Sequence, residues 1–172
     1  MATLIKEQRI VADSWRLLSR GPKGELPEVP AQGDVIVPLA LWLARRDALL
    51  AYPGKLGVWL DAHEGPEEIA ADLRRFALVA VNFPKFGDGR GYSIARLLRE
   101  RYGYEGELRA IGDVLHDFLY FMKQCGFDAF VLRDDQEVQA ALSALDTFSE
   151  GYQTSVLRPV PLFRRRLATG KR

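Results

Sequence analysis

From Val35 onward the chain alternates five times between a short apolar run and a longer amphipathic one. The apolar runs are VIVP, LGVWLDA, ALVAVNF, ELRAIG and DAFVLR. The runs between and after them are LALWLARRDALLAY, PEEIAADLRRF, YSIARLLRERY, DVLHDFLYFMKQC and DQEVQAALSALDTF. Short, continuously apolar segments alternating with longer amphipathic ones specify strand–helix units, and such units in succession build a parallel sheet buried on both faces and covered by helices. Boundary signals agree with this reading. Pro53-Gly54 stops the first helix, Pro66 opens the second beside Glu67 and Glu68, and Gly126 follows the fourth, whose expected N-cap is Asp113.

The stretch from 35 to 149 is about half the length that an eight-unit barrel requires. The expected fold class is therefore α/β, an open parallel sheet of five strand–helix units, with a partial barrel that closes only in a dimer as the alternative. Before it, TLIKEQRIVADSWRLL reads as one or two short strands, a hairpin turning near Ala12-Asp13. Residues 19–34 are rich in Gly and Pro and read as a loop. One domain is expected over 1–157, followed by a basic tail over 158–172 that holds six Lys or Arg and no acid. Its two prolines argue for a flexible segment.

Composition removes several function classes. A net charge of +1 gives no whole-chain attraction to nucleic acid. One cysteine, Cys125, excludes an intrachain disulfide framework, and two histidines with one cysteine are thin material for zinc, so no metal is expected. The opening residues carry no apolar signal core and no run is long enough to span a bilayer. The expectation is a cytoplasmic protein.

Ligands of open parallel sheets bind beyond the carboxyl ends of the strands, near the point where strand order reverses. That rule gathers Asp61, His63 and Glu64 after one strand, and Lys85, Asp88, Arg90, Tyr92 and Ser93 after the next. Asp113 follows the fourth, and Arg133, Asp134 and Asp135 the fifth. Within FPKFGDGRGYSIARLLRE the glycines Gly87, Gly89 and Gly91 alternate immediately before a helix. Glycines let a backbone approach a ligand, a helix start offers unpaired N–H groups, and Arg90 adds a forked cation. The stretch from Lys85 to Ser93, including Gly89 and Gly91, is thus the candidate ligand or partner surface. Asp61, His63 and Asp113 are candidate acid–base groups.

The named fingerprints fail. No G-x-x-x-x-G-K-[ST] loop is present, and Tyr92 occupies the third position of a would-be G-x-G-x-x-G. No redox cofactor is therefore expected. Cys125 shares a helical face with Phe118 and Met122 and is expected to be buried, whereas His116 falls on the polar face with Tyr120 and Lys123.

The segments DGRGYSIARLLRERYGYEGELRAIGDVL and CGFDAF, with SWRLL, GDVIVPLALWL and LDTFSEGYQ, resemble a bacterial family catalogued as domain of unknown function 934. Its members are commonly encoded beside the sulfite reductase of assimilatory cysteine synthesis and are often labelled oxidoreductases. The resemblance implies a place in sulfur assimilation, with sulfite reductase or its electron donor as the partner. Two roles follow: an accessory protein that binds such a partner, or a small enzyme or sensor that binds an oxyanion or phosphorylated metabolite at the 85–93 loop.

Overall fold

The structure, a computed structural model, describes residues 3–149 and 151–168. Three short strands, β1 (Thr3–Lys6), β2 (Arg9–Ala12) and β3 (Arg16–Leu17), precede the alternating region. There the strands are β4 (Val35–Pro38), β5 (Leu56–Leu60), β6 (Leu78–Phe83), β7 (Glu107–Gly112) and β8 (Ala129–Phe130). All eight form one sheet in the order β2-β1-β8-β7-β6-β5-β4-β3.

Every pairing from β3 to β8 is parallel, as the alternation requires. The hairpin β1–β2 then joins β8 antiparallel, so the sheet is mixed and the purely parallel expectation is corrected. Strand order in the alternating region is strictly sequential. Right-handed crossovers between sequential strands all fall on one face of a sheet. There is consequently no point where strand order reverses, and the open sheet expected to offer one is also corrected.

Strand order forces the sheet to curl. Laid flat, eight strands would separate β2 from β3 by about 33 Å at the usual inter-strand spacing. Yet only residues 13–15 lie between Ala12 and Arg16, a reach of at most ~14 Å. The sheet rolls into a half-barrel, and the strap Asp13–Trp15 crosses its concave side.

Burial follows that geometry. Along β6, Val79, Val81 and Phe83 face the helices and join the main core. Leu78 and Ala80 point the other way and form a small second core with Ile36 and Ile111, packed by Trp15, Trp59 and Val131. Arg109, 1% exposed, also sits on the concave side. It donates to Asp13 (2.8 Å) and to Glu107 (2.7 Å), and Glu107 also pairs with Lys6 at 2.7 Å.

Several local expectations change. The hairpin turns at Glu7-Gln8, not Ala12-Asp13, and both residues have positive φ, 48° and 62°. Such a turn matches the twist of its strands, but Glu-Gln lacks the glycine or asparagine that advertises it in a sequence. The helix α1 (Leu39–Leu50) follows β4. The segment Pro66–Arg75 is a 3-10 helix with Pro66, Ile69 and Asp72 buried at three-residue spacing, the repeat of that helix. Beyond it come α2 (Arg90–Arg96), continued by a π turn over Leu97–Arg101, then α3 (Leu119–Gln124) and α4 (Val138–Ala144). The basic segment is not wholly irregular: Leu162–Ala168 forms α5, where Arg165 donates to the carbonyls of Val160 and Gly151. Residues 169–172 of that segment lie outside the described residues. No helix among the described residues is long and apolar enough to cross a membrane.

Candidate functional site at the carboxyl ends of the strands

The 85–93 loop is held by its neighbours. Asp113, just past β7, accepts the Phe86 N–H (2.8 Å) with one oxygen and the Arg133 guanidinium (2.8 Å) with the other. Arg133 in turn grips Asp135 at 2.6 and 2.7 Å. Asp113 is thereby a tie between two loops, and its carboxylate is already engaged on both oxygens. Asp88 accepts the backbone N–H of Arg90 (3.2 Å) and both arms of the same residue's guanidinium, at 2.9 and 2.6 Å. The Arg90 side chain holds the Asp88 carboxyl at about 2, well below its ordinary value. The guanidinium expected to reach outward is folded back on its own loop.

The glycines serve packing more than reach. Gly89 has φ −76° and ψ −6°, conformations open to any residue. Gly91 is buried, and a Cβ there would lie 2.7 Å from the Phe83 ring, so its role is close contact between α2 and β6. Lys85 and Ser93 are exposed on either side of this turn.

The loop also builds an aromatic strip. Phe86 stacks on Phe118 with ring centroids 6.2 Å apart, and Tyr92 meets Phe121 edge-on at 4.8 Å. Tyr92 also touches Phe83, at 5.2 Å, which anchors the strip to the core. Phe86 and Phe121 are each 53% exposed. Both had only a weak sequence signal: Phe86 sits in a Gly-rich turn, and Phe121 reads as one more apolar helical residue.

On the concave side, a cleft of about 380 Å³ opens at the ends of β5, β6 and β7. Trp59 and Ile111 lie at its base, and Leu17, Arg20 and the 19–24 loop form a wall. The Trp59 indole N–H donates to the Leu18 carbonyl (3.0 Å), and the Arg20 guanidinium lies 5.0 Å from the indole centroid. Arg20 also pairs with Glu64 at 2.7 Å, and Glu64 caps the Asp61 N–H at 2.8 Å. Asp61 accepts the Asn82 amide (3.0 Å) with one oxygen, and His63 stands 3.7 Å from the other. Gly112, at φ +91°, passes so close to the Asn82 side chain that any Cβ there would collide with it.

Of the predicted residues, the structure brings Asp61 to this cleft with the exposed His63 beside it, and places Asp113 with the 85–93 loop instead. Asn82, Trp59 and Arg20 were missed. The one usable signal was Asn82, the lone polar residue in an otherwise apolar strand. A larger cleft of about 510 Å³ lies at the opposite end of the sheet, lined mainly by Tyr102–Gly106, Leu73, Arg74 and Phe76. It lies away from the edge where parallel sheets carry their ligands.

Cys125 is 4% exposed at the end of α3, and burial pushes its thiol up to about 11. The thiolate is the species that reacts. In the native protein at pH 8, alkylation of Cys125 is expected to run about a thousandfold slower than that of a fully ionised thiolate. The rate should climb about tenfold per pH unit up to pH 11. Rapid stoichiometric alkylation by iodoacetamide at pH 8 is the result that would contradict this. His116 is half-buried, with Nδ1 2.6 Å from the Gln136 side-chain oxygen and Nε2 3.2 Å from Asp117.

Residues 57–163 match the model of a family described as bacterial protein of unknown function (DUF934). No curated protein and no solved structure matches the chain.

Proposed function

Because the chain belongs to the DUF934 family of bacterial proteins of unknown function, we propose that it is an accessory protein of assimilatory sulfite reduction, acting by docking to sulfite reductase or to that enzyme's electron donor. The choice of partner rests on the family's resemblance-based place in sulfur assimilation. The choice of mode rests on one observation, the aromatic strip Phe86–Phe118 and Tyr92–Phe121, with two of its rings half in water. Aromatic side chains dominate the binding energy of protein interfaces, and their exposure on a rigid support costs nothing in ordering when a partner arrives. Here the support is rigid: Asp113 pins the Phe86 backbone, and Phe83 seats Tyr92.

The alternative role, an enzyme or sensor of a small oxyanion at the same loop, needs an outward guanidinium. Arg90 is closed on Asp88, which argues against it.

The test is direct binding of the purified chain to purified sulfite reductase and, separately, to its electron donor, by calorimetry. The intact chain should bind one of them. Phe86→Ser together with Phe121→Ser should cost about 2–4 kcal/mol, roughly 30- to 1000-fold in Kd. The same double variant should fail to restore growth of a deletion strain on sulfate, with its melting temperature little changed. Binding to neither protein, or binding unaffected by the double variant, would overturn the reading.

A further inference from the structure

The concave cleft is separate from the aromatic strip, and nothing in the docking role requires it. Its construction is that of a small-molecule site. It sits at the carboxyl ends of parallel strands, where side chains from successive strands converge. Its base is apolar, Trp59 and Ile111 with Leu17 at the rim, and its polar groups are few and fixed, as in ligand pockets generally. Trp59 is locked by its bond to the Leu18 carbonyl. Asp61 is locked by the Glu64 side chain beneath its N–H and by the Asn82 amide.

The direction of these hydrogen bonds selects the ligand. The Asn82 amide donates to one Asp61 oxygen, which also accepts the Ala62 N–H at 2.8 Å. That leaves two acceptors on cleft residues, the second Asp61 oxygen, with His63 Nδ1 3.7 Å from it, and the Asn82 carbonyl oxygen, which lies beside Gly112. Arg20 and Glu64 neutralise each other at 2.7 Å, so the remaining formal charge is that of Asp61. Two acceptors, one of them anionic, beside an indole and aliphatic carbons match a cation that donates hydrogen bonds and carries a short apolar body. We propose that this cleft binds a small primary amine, with its ammonium group on Asp61 and Asn82 and its carbon chain against Trp59, Ile111 and Leu17.

The full chain, labelled with nitrogen-15, is titrated with n-butylammonium chloride, and with sodium butyrate as the length-matched anion. The Trp59 indole N–H and the Asn82 amide signals are the reporters. Saturable shifts with a millimolar Kd are expected for the amine and none for butyrate, in keeping with what so small a ligand can gain. Asp61→Asn, which keeps the shape and removes the charge, should weaken the amine at least tenfold. Leu17→Trp, at a half-exposed rim position, fills the cleft and should abolish the response, and it carries the test if Asp61→Asn does not fold. The Phe86→Ser and Phe121→Ser double variant should respond as the intact chain does, so failure of the docking role and failure of this one are read separately. Non-saturating shifts, equal shifts with butyrate, or an unchanged amine response in a folded Asp61→Asn or Leu17→Trp variant would overturn the proposal.

Discussion

Arg109→Ala is expected to cost the fold about 3–5 kcal/mol, the largest loss of any single substitution outside the apolar core. Arg109 is 1% exposed on the concave side of the sheet and holds two carboxylates, Asp13 at 2.8 Å and Glu107 at 2.6 Å. Their side chains are only 10% and 8% exposed. Removing the guanidinium leaves Asp13 without its cation and Glu107 with Lys6 alone, in a place where water cannot replace it. The strap from Asp13 to Trp15 would also lose its main polar anchor to β7. Urea unfolding should show a lower midpoint with an unchanged slope, since the surface exposed on unfolding is the same. A second variant separates the cost of a broken pair from the worth of an intact one. Arg109→Met combined with Asp13→Leu and Glu107→Leu removes all three buried charges and should recover most of the loss, because an apolar cluster often equals or exceeds a buried ion network. If Arg109→Ala costs less than about 1 kcal/mol, the ion network is not what holds the strap to β7.

Arg99→Ala should cost about 3 kcal/mol, or ~10 °C in Tm for a chain of this size. Arg99 lies at the opposite end of the sheet, where helices return to strands. It donates to the carbonyls of Gly126 (3.0 Å), Tyr104 (2.6 Å) and Gly106 (2.8 Å) and to the Asp128 carboxylate (2.8 Å). One planar fork thus ties the turn before β7 to the turn before β8. Lysine offers a point charge instead of a fork and should restore less than half of the loss.

The penalty should also depend on pH. Burial holds the Asp128 carboxyl above its ordinary value, and Arg99 works against that rise. Without Arg99 the folded-state pKa rises further. A group whose folded pKa is raised favours the fold while it is protonated and disfavours it once ionised. The gap between variant and parent should therefore be widest at pH 7 and narrow as the pH falls toward 4.5. Thermal melts across that range check it, and a gap that widens on acidification would show that Asp128 is not the group involved.

Local sequence patterns decided much of this protein. The strand–helix alternation is written in residues that meet within one turn or one pleat, so VIVP, LGVWL, LVAVNF and ELRAIG formed strands and ran parallel as read. The burial of Cys125 was legible for the same reason, through Phe118 and Met122 on its own helix. The family was legible in a long uninterrupted match. Long-range geometry escaped that reading. The curl depends on β2 and β3 lying at the two ends of the strand order while three residues join them. No local pattern encodes strand order, because each strand would look the same beside any neighbour. Arg109 reads as a flaw in a strand until Asp13, 96 positions away, is placed against it. Arg20 reads as loop charge until Trp59 and Glu64 close on it. Arg90 shows the opposite error, since a glycine-flanked arginine suggested reach while an aspartate two residues away had already satisfied it. Periodicity assigns residues to elements because it reports contacts along the chain. Pairs across the chain form only when the fold has lowered the entropic cost of bringing their ends together, and so the cleft and the strap belong to the tertiary structure alone.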